Sequence, residues 1–170
     1  TSLKSGVRLS HLDLPPSLLR LFRGPRFGRD GLREILGVTE RPLLGAALKP
    51  MGLSAAELAD LAYLFALGGI DLIKDDHGLT NQSFAPFRER VARCAEAVAR
   101  ANRETGLKCI YAANITGPAG ELPDRAAWAR QVGAGAVLIS PGLTGLDAMR
   151  QIADDDRIGL PVLSHPTFQG

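Results

Sequence analysis

From Arg41 onward the chain alternates short apolar runs with longer stretches whose apolar residues recur at helical spacing. Leu43-Leu44-Gly45-Ala46-Ala47-Leu48 is a continuous apolar run, the pattern of a strand covered on both faces. Ser54 with Glu57 three residues on reads as a capping box. The helix it opens runs to about Leu67 and stops at Gly68-Gly69. The unit then recurs. The pattern predicts strands near 43–49, 70–74, 108–113, 136–140 and 160–164. Between them it predicts helices over 85–104 and 124–131, and a last one from Thr144 or Asp147 to Ala153. Residues 1–40 have no clean period. Pro15-Pro16, Gly24-Pro25 and Gly28 punctuate them, leaving room for short helices over 17–22 and 30–36.

Strict alternation of apolar strand and helix means a parallel sheet. A doubly wound sheet would carry a glycine-rich phosphate turn after its first strand. Lys49-Pro50-Met51-Gly52-Leu53 stands there instead, with neither GxGxxG nor GxxxxGK[ST]. A (β/α)8 TIM barrel puts its chemistry at the C-terminal ends of its strands. Polar groups do sit at those ends: Lys49, Lys74 with Asp75-Asp76-His77, Asn114 and His165. The barrel is therefore the expected fold class. A barrel takes roughly 200 residues or more, and these 170 residues reach only strand five. The expectation is a partial chain. Residues 1–40 would be the end of an N-terminal region with its connecting segment, and 41–170 the first part of the barrel. An open half-barrel would leave aggregation-prone edges unpaired.

Composition narrows the function. A hydrophobic content of 45% is enough to bury a core. Twenty basic against 18 acidic side chains, net +2, give no electrostatic case for nucleic acid or an anionic membrane. No apolar run approaches the ~20 residues that span a bilayer, and residues 1–8 are polar, without a signal-peptide segment. Cys94 and Cys109 are too few for a disulfide framework or a zinc site, so a reducing cytoplasm is expected.

Each candidate residue has a plain reading beside a chemical one. Side chains alternate along a strand, so Lys74 and Asp76 share one side of the second strand and Asp75 faces the other. Lys74 and Asp76 could form a buried ion pair. They could instead be a metal site, if the Lys74 amine captures CO2 and becomes a carbamate, an oxygen donor suited to Mg2+. Lys49 could be a solvated lysine or a proton-transfer or oxyanion-stabilising group. His165 could cap its loop, bind a substrate oxygen or shuttle a proton. Asn114 could hold backbone groups or touch a ligand.

Together these residues resemble the RuBisCO large-subunit superfamily. The resemblance is carried by Leu44-Gly45-Ala46-Ala47-Leu48-Lys49-Pro50, by Gly52-Leu53 and by Gly68-Gly69-Ile70-Asp71-Leu72-Ile73-Lys74-Asp75-Asp76. Asn81-Gln82, Asn114-Ile115-Thr116, and Pro15-Pro16 followed by Arg20 and Gly24-Pro25 add to it. It implies a (β/α)8 barrel after a small N-terminal α+β domain, and a homodimer whose active site is shared between subunits. Lys74 matches the carbamylated lysine, Asp76 a metal-ligand aspartate, Lys49 the lysine that assists enolisation and His165 the active-site histidine of strand five. The implied cofactors are Mg2+ (or Mn2+) and CO2 as the lysine carbamate.

Three departures bear on function. His77 occupies the position of a metal-ligand glutamate, leaving its place in the metal shell open. Met51 lies where the family has a second lysine, in a loop one residue shorter. Pro166 stands where the carboxylases have a phosphate-binding arginine, a contact proline cannot make. The end of the chain, from Ser164 to Gly170, is most like the RuBisCO-like (form IV) proteins. The expected reaction is metal-dependent enolisation, an isomerase or tautomerase acting on a small phosphorylated, sugar-like ketone, without CO2 fixation. Alternatives are a decarboxylase of a phosphorylated β-keto sugar acid, a Schiff-base aldolase using Lys74 or Lys49, and a catalytically inactive homologue.

Overall fold

The structure, a computed structural model, describes residues 8–168. The polar start read at residues 1–8 lies outside it except for Arg8, as do Gln169 and Gly170. Five strands form one sheet: β1 (Gly45–Leu48), β2 (Leu72–Asp75), β3 (Ile110–Asn114), β4 (Ala136–Ile139) and β5 (Val162–Ser164). Each overlaps the span expected from its apolar run. All neighbours are parallel, and the order is β1-β2-β3-β4-β5. A doubly wound sheet reverses its strand order at a switch point. This sheet never doubles back, as in a barrel, and the chain supplies five strands of a (β/α)8 barrel.

Local chemistry sets the helix limits. In α1 (Pro16–Leu19) a proline opens the helix and no residue is buried, so it is shorter than the 17–22 span expected. The next helix, α2 (Gly28–Leu36), ends at Gly37 in the left-handed region, φ +69°. Ser54 and Glu57 form the expected capping box at the start of α3 (Ala55–Leu67). The 85–104 helix begins two residues late, as α4 (Phe87–Thr105). Pro86 takes its N-cap position, and the Phe87 amide donates instead to Asn81 Oδ1 at 2.9 Å. In α5 (Leu122–Gln131) Pro123 sits in the first turn, where a missing N–H costs nothing. Gly145, at φ +95°, separates α6 (Pro141–Thr144) from α7 (Leu146–Asp154).

The registers Ala47↔Lys74, Lys74↔Ala112, Ala112↔Ala136 and Leu138↔Leu163 put these residues on one face of the sheet. On the other face, Leu48, Ile73, Tyr111, Ala113, Val137 and Ile139 join the core with Leu58 and Ala62 of α3, Val91, Cys94 and Val98 of α4, and Ala126 and Ala129 of α5. Small residues dominate the helix contribution and let the helices approach the sheet closely. Cys94 and Cys109 are both free and buried, and burial pushes the Cys109 thiol up to about 12.

Two ionic features hold the framework. At the N-terminal end of the strands, Arg41 grips Asp71 through two bonds of 2.6 and 2.7 Å, and Asp71 also accepts the Leu44 amide. The hydrogen bond from Arg41 brings the Asp71 carboxyl below its ordinary value. In the core, Asp75 and Arg90 have no exposed side-chain surface. Asp75 accepts from Arg90 Nε (3.2 Å), the Tyr111 hydroxyl (2.7 Å) and the Asn114 amide (2.9 Å). Burial pushes the Asp75 carboxyl up, and these donors act against it. Arg90 also donates to the carbonyls of Leu79, Thr80 and Ala85, tying α4 to the loop that leaves β2.

Removing one member of a buried ion pair strands the other. Arg90→Met should therefore cost about 3–5 kcal/mol, read as a lower urea midpoint. An unchanged midpoint would show that Asp75 needs no counter-charge.

Candidate active site

The residues expected at the strand ends do gather at one end of the sheet. Lys49 follows β1, Asp76 and His77 follow β2, Asn114 ends β3 and His165 follows β5. Register and alternation put Lys49, Lys74, Asp76 and Asn114 on the face away from the helices. Asp75 faces the helices, as alternation requires.

Asp76 is the centre of the cluster. Its side chain is only 8% exposed. Lys49 Nζ lies 3.3 Å from Asp76 Oδ2, and His77 Nδ1 lies 2.8 Å from Oδ1. The Gly78 amide donates to Oδ1 at 3.2 Å. Burial opposes ionisation of Asp76, but the Gly78 amide, Lys49 and His77 together bring its carboxyl below the ordinary value. The His77 and His165 rings stack with centroids 4.6 Å apart and planes 23° from parallel, joining the loops after β2 and β5. Burial, then the neighbouring His77 and Lys74, lower the pKa of His165, which favours the neutral ring.

Lys74 departs from expectation. It does not pair with Asp76, whose cation is Lys49. Among the described residues no carboxylate lies within ion-pair distance of Lys74, and its Nζ donates to the Asp75 carbonyl at 3.3 Å. The buried Lys74–Asp76 ion pair is thus replaced by a half-buried amine on a main-chain oxygen. The physical reason is competition: Lys49 from the adjacent strand reaches Asp76, and Asp75 is committed to the core.

Asn114 is fully buried and holds backbone. Its Nδ2 donates to the carbonyls of His77 (2.9 Å) and Asp76 (3.3 Å), and its Oδ1 accepts the Thr116 amide. Asn81 and Gln82 are spent in the same loop, Gln82 bridging Gly78 and Thr80. The Met51 thioether lies against Gly78, so the short loop after β1 covers the loop after β2.

Several contributors escaped the sequence reading. Thr116 and Ser140 are buried polar residues at the same end, and the Ser140 amide donates to Thr116 Oγ1 at 3.0 Å. Their signal was available, since alternation from Asn114 reaches Thr116 and strand four ends on Ser140. Thr167, whose hydroxyl lies 2.6 Å from His165 Nδ1, had no such signal.

Among the described residues no group of three His, Cys, Asp or Glu side chains is placed to hold a metal ion. Asp76 and His77 are two adjacent donors. A third donor, an anionic oxygen, would arise if CO2 added to the Lys74 amine, and with that carbamate the donor set would fit a divalent ion. Without it, basic groups surround a single carboxylate.

The family model for the ribulose bisphosphate carboxylase large chain, catalytic domain, matches residues 29–164. A 2,3-diketo-5-methylthiopentyl-1-phosphate enolase of Geobacillus kaustophilus is 39% identical over 170 residues, covering 99% of this chain and 41% of that protein. A 5-methylthioribulose-1-phosphate isomerase of Rhodospirillum rubrum is 39% identical over 171 residues, covering 100% of this chain and 46% of that protein. The crystal structure of a Rubisco-like protein from Rhodopseudomonas palustris superposes with a TM-score of 0.87 at 44% identity, covering 91% of this chain and 44% of that one. The chain thus spans less than half the length of these relatives.

Asn114→Ala would leave the Asp76 and His77 carbonyls and the Thr116 amide without their partner. We expect a loss of about 1–3 kcal/mol and faster amide exchange at Thr116 by mass spectrometry. Wild-type exchange would mean that water replaces the side chain.

Proposed function

The chain belongs to the ribulose bisphosphate carboxylase large-chain family, and we propose that it is part of a RuBisCO-like enzyme that enolises a phosphorylated, sugar-like ketone without fixing CO2. Membership of the family does not by itself choose between carboxylation and enolisation. The observation that carries the reading is the cluster at the strand ends. Lys49 and His77 both contact Asp76, His77 stacks on His165, and among the described residues Lys74 has no carboxylate partner. Pro166 and Met51 replace the polar groups expected of a bisphosphate carboxylase, which favours a substrate with a single phosphate. The relatives named for 1-phosphate substrates fit that choice.

In this reading Lys74 as its carbamate, Asp76 and His77 would hold Mg2+ or Mn2+. When bound, the ion polarises the substrate carbonyl and stabilises the charge that develops on its oxygen. Lys49, which lies 3.3 Å from Asp76 at the mouth, would assist removal of the proton beside the carbonyl. Residues 1–40 are then the end of an N-terminal region and 41–170 the first part of the barrel. The assembly is a homodimer with its site shared between subunits. Two buried, unpaired thiols suit the reducing cytoplasm.

The test is proton exchange in D2O by the full-length protein against a panel of phosphorylated ketoses, with CO2 and Mg2+ or Mn2+ supplied. Lys74→Ala and exhaustive chelation should each abolish exchange. His77→Glu should keep the fold and tighten Mg2+ binding. Full exchange in Lys74→Ala would sink the carbamate mechanism. A separate expectation is that the protein incorporates no 14C-bicarbonate into acid-stable product with ribulose bisphosphate. Incorporation would overturn the assignment to the non-carboxylating branch.

A further inference from the structure

We infer that Thr167 is a positioning residue that fixes the tautomer of His165, so that the neutral ring carries its proton on Nε2 and offers substrate an N–H rather than a lone pair. Its catalytic consequence rests on the enolisation reading above; the tautomer itself does not.

Two groups of Thr167 face the same ring nitrogen. The Thr167 amide donates to His165 Nδ1 at 3.2 Å, and the Thr167 hydroxyl lies 2.6 Å from the same atom. A main-chain N–H can only donate, so Nδ1 must accept. The hydroxyl facing that lone pair then donates as well. A neutral imidazole has one proton, which is left to Nε2. Among the described residues no group bonds to Nε2.

The turn that aims these donors is built into the chain. The His165 amide donates to the Ile139 carbonyl at 2.8 Å, so the backbone of His165 continues the β4–β5 ladder. Pro166 has no N–H, which makes Thr167 the first main-chain donor beyond the histidine. The backbone of Thr167 presses on Gly142 of α6, where a Cβ would collide with the Thr167 carbonyl. Stacking on His77 sets the plane of the ring. Position, plane and rotation about the ring axis are thus each fixed by a different contact.

The chemistry follows from the proton's place. A neutral Nε2–H aimed at a substrate oxygen stabilises negative charge as it develops there. It cannot take up the α-proton, which leaves that step to another group. Thr167 acts through His165 and need not touch substrate.

The test uses the full-length protein labelled with 15N at histidine, at about pH 8, where an ordinary imidazole is neutral. The His165 signals are those that vanish in His165→Gln. We expect the proton on Nε2 in the wild type, a mixture of tautomers in Thr167→Val, where the short hydroxyl contact is gone and only the longer 3.2 Å amide contact still opposes a proton on Nδ1, and the wild-type pattern again in Thr167→Ser. With a ketose that exchanges, Thr167→Val should lower kcat on the order of tenfold with KM little changed, and Thr167→Ser should restore it. A proton on Nδ1 in the wild type, or wild-type spectrum and kcat in Thr167→Val, would overturn the inference. The Nε2 tautomer in a protein that exchanges no ketose would uphold the inference and remove the enolisation reading instead.

Discussion

The carboxylate of Asp75, buried without exposed surface between the sheet and α4, sets the frame for everything at the mouth. Burying a charge is costly unless it is paired and hydrogen-bonded. Arg90, Tyr111 and the Asn114 amide meet that condition only if Asp75 points to the helices. Alternation then commits Lys74 and Asp76 to the opposite face. A slip of one residue in β2 would put Lys74 against Val91 and Cys94 and would expel Asp75 into the mouth. The registers Leu48↔Asp75 and Lys74↔Ala112 are therefore fixed by charge as well as by hydrophobic contact.

With Asp75 spent in the core, the mouth holds Asp76 as the carboxylate facing Lys49, Lys74, His77 and His165. Asp76 is sheltered while Lys49 and His77 are more than half exposed. Such a site is short of negative charge. It gains by admitting an anion. The same imbalance accounts for the partner exchange at Asp76. One carboxylate with two lysines in reach pairs with one of them, and the other is left on a main-chain carbonyl.

Much of the fold was legible because it rests on local rules. The apolar runs located all five strands, and Ser54 with Glu57 announced their helix to the residue. Where the sequence reading missed, a local rule had a distant competitor. The start of α4 moved because Pro86 cannot donate and Asn81 reaches in from the preceding loop. The candidate residues were legible by position, each following an apolar run, but their partners were not. Arg90 reads as one more charge on an amphipathic helix until the fold brings it under β2. Nothing along the chain shows that Lys49 will reach Asp76 before Lys74 does. The stacking of His77 on His165 joins positions 88 residues apart, which no spacing rule connects.

The frame of the site and its rim are built from different atoms. Asn114 fastens the loop after β2 by two main-chain carbonyls, Thr116 receives the Ser140 amide, and His165 bonds through its own amide to Ile139. These links depend on backbone and on buried polar side chains. Met51, His77 and Pro166 have exposed side chains at the rim, and of the three only His77 shares in these links, through its main-chain carbonyl. Met51 packs its thioether on Gly78, and Pro166 leaves the amide of Thr167 to bond the histidine. Exchanging the side chains of these rim residues would leave in place the main-chain carbonyls that hold the loops. Variation at the rim is thereby separated from the buried Asp75–Arg90 pair, which keeps the strand ends in place.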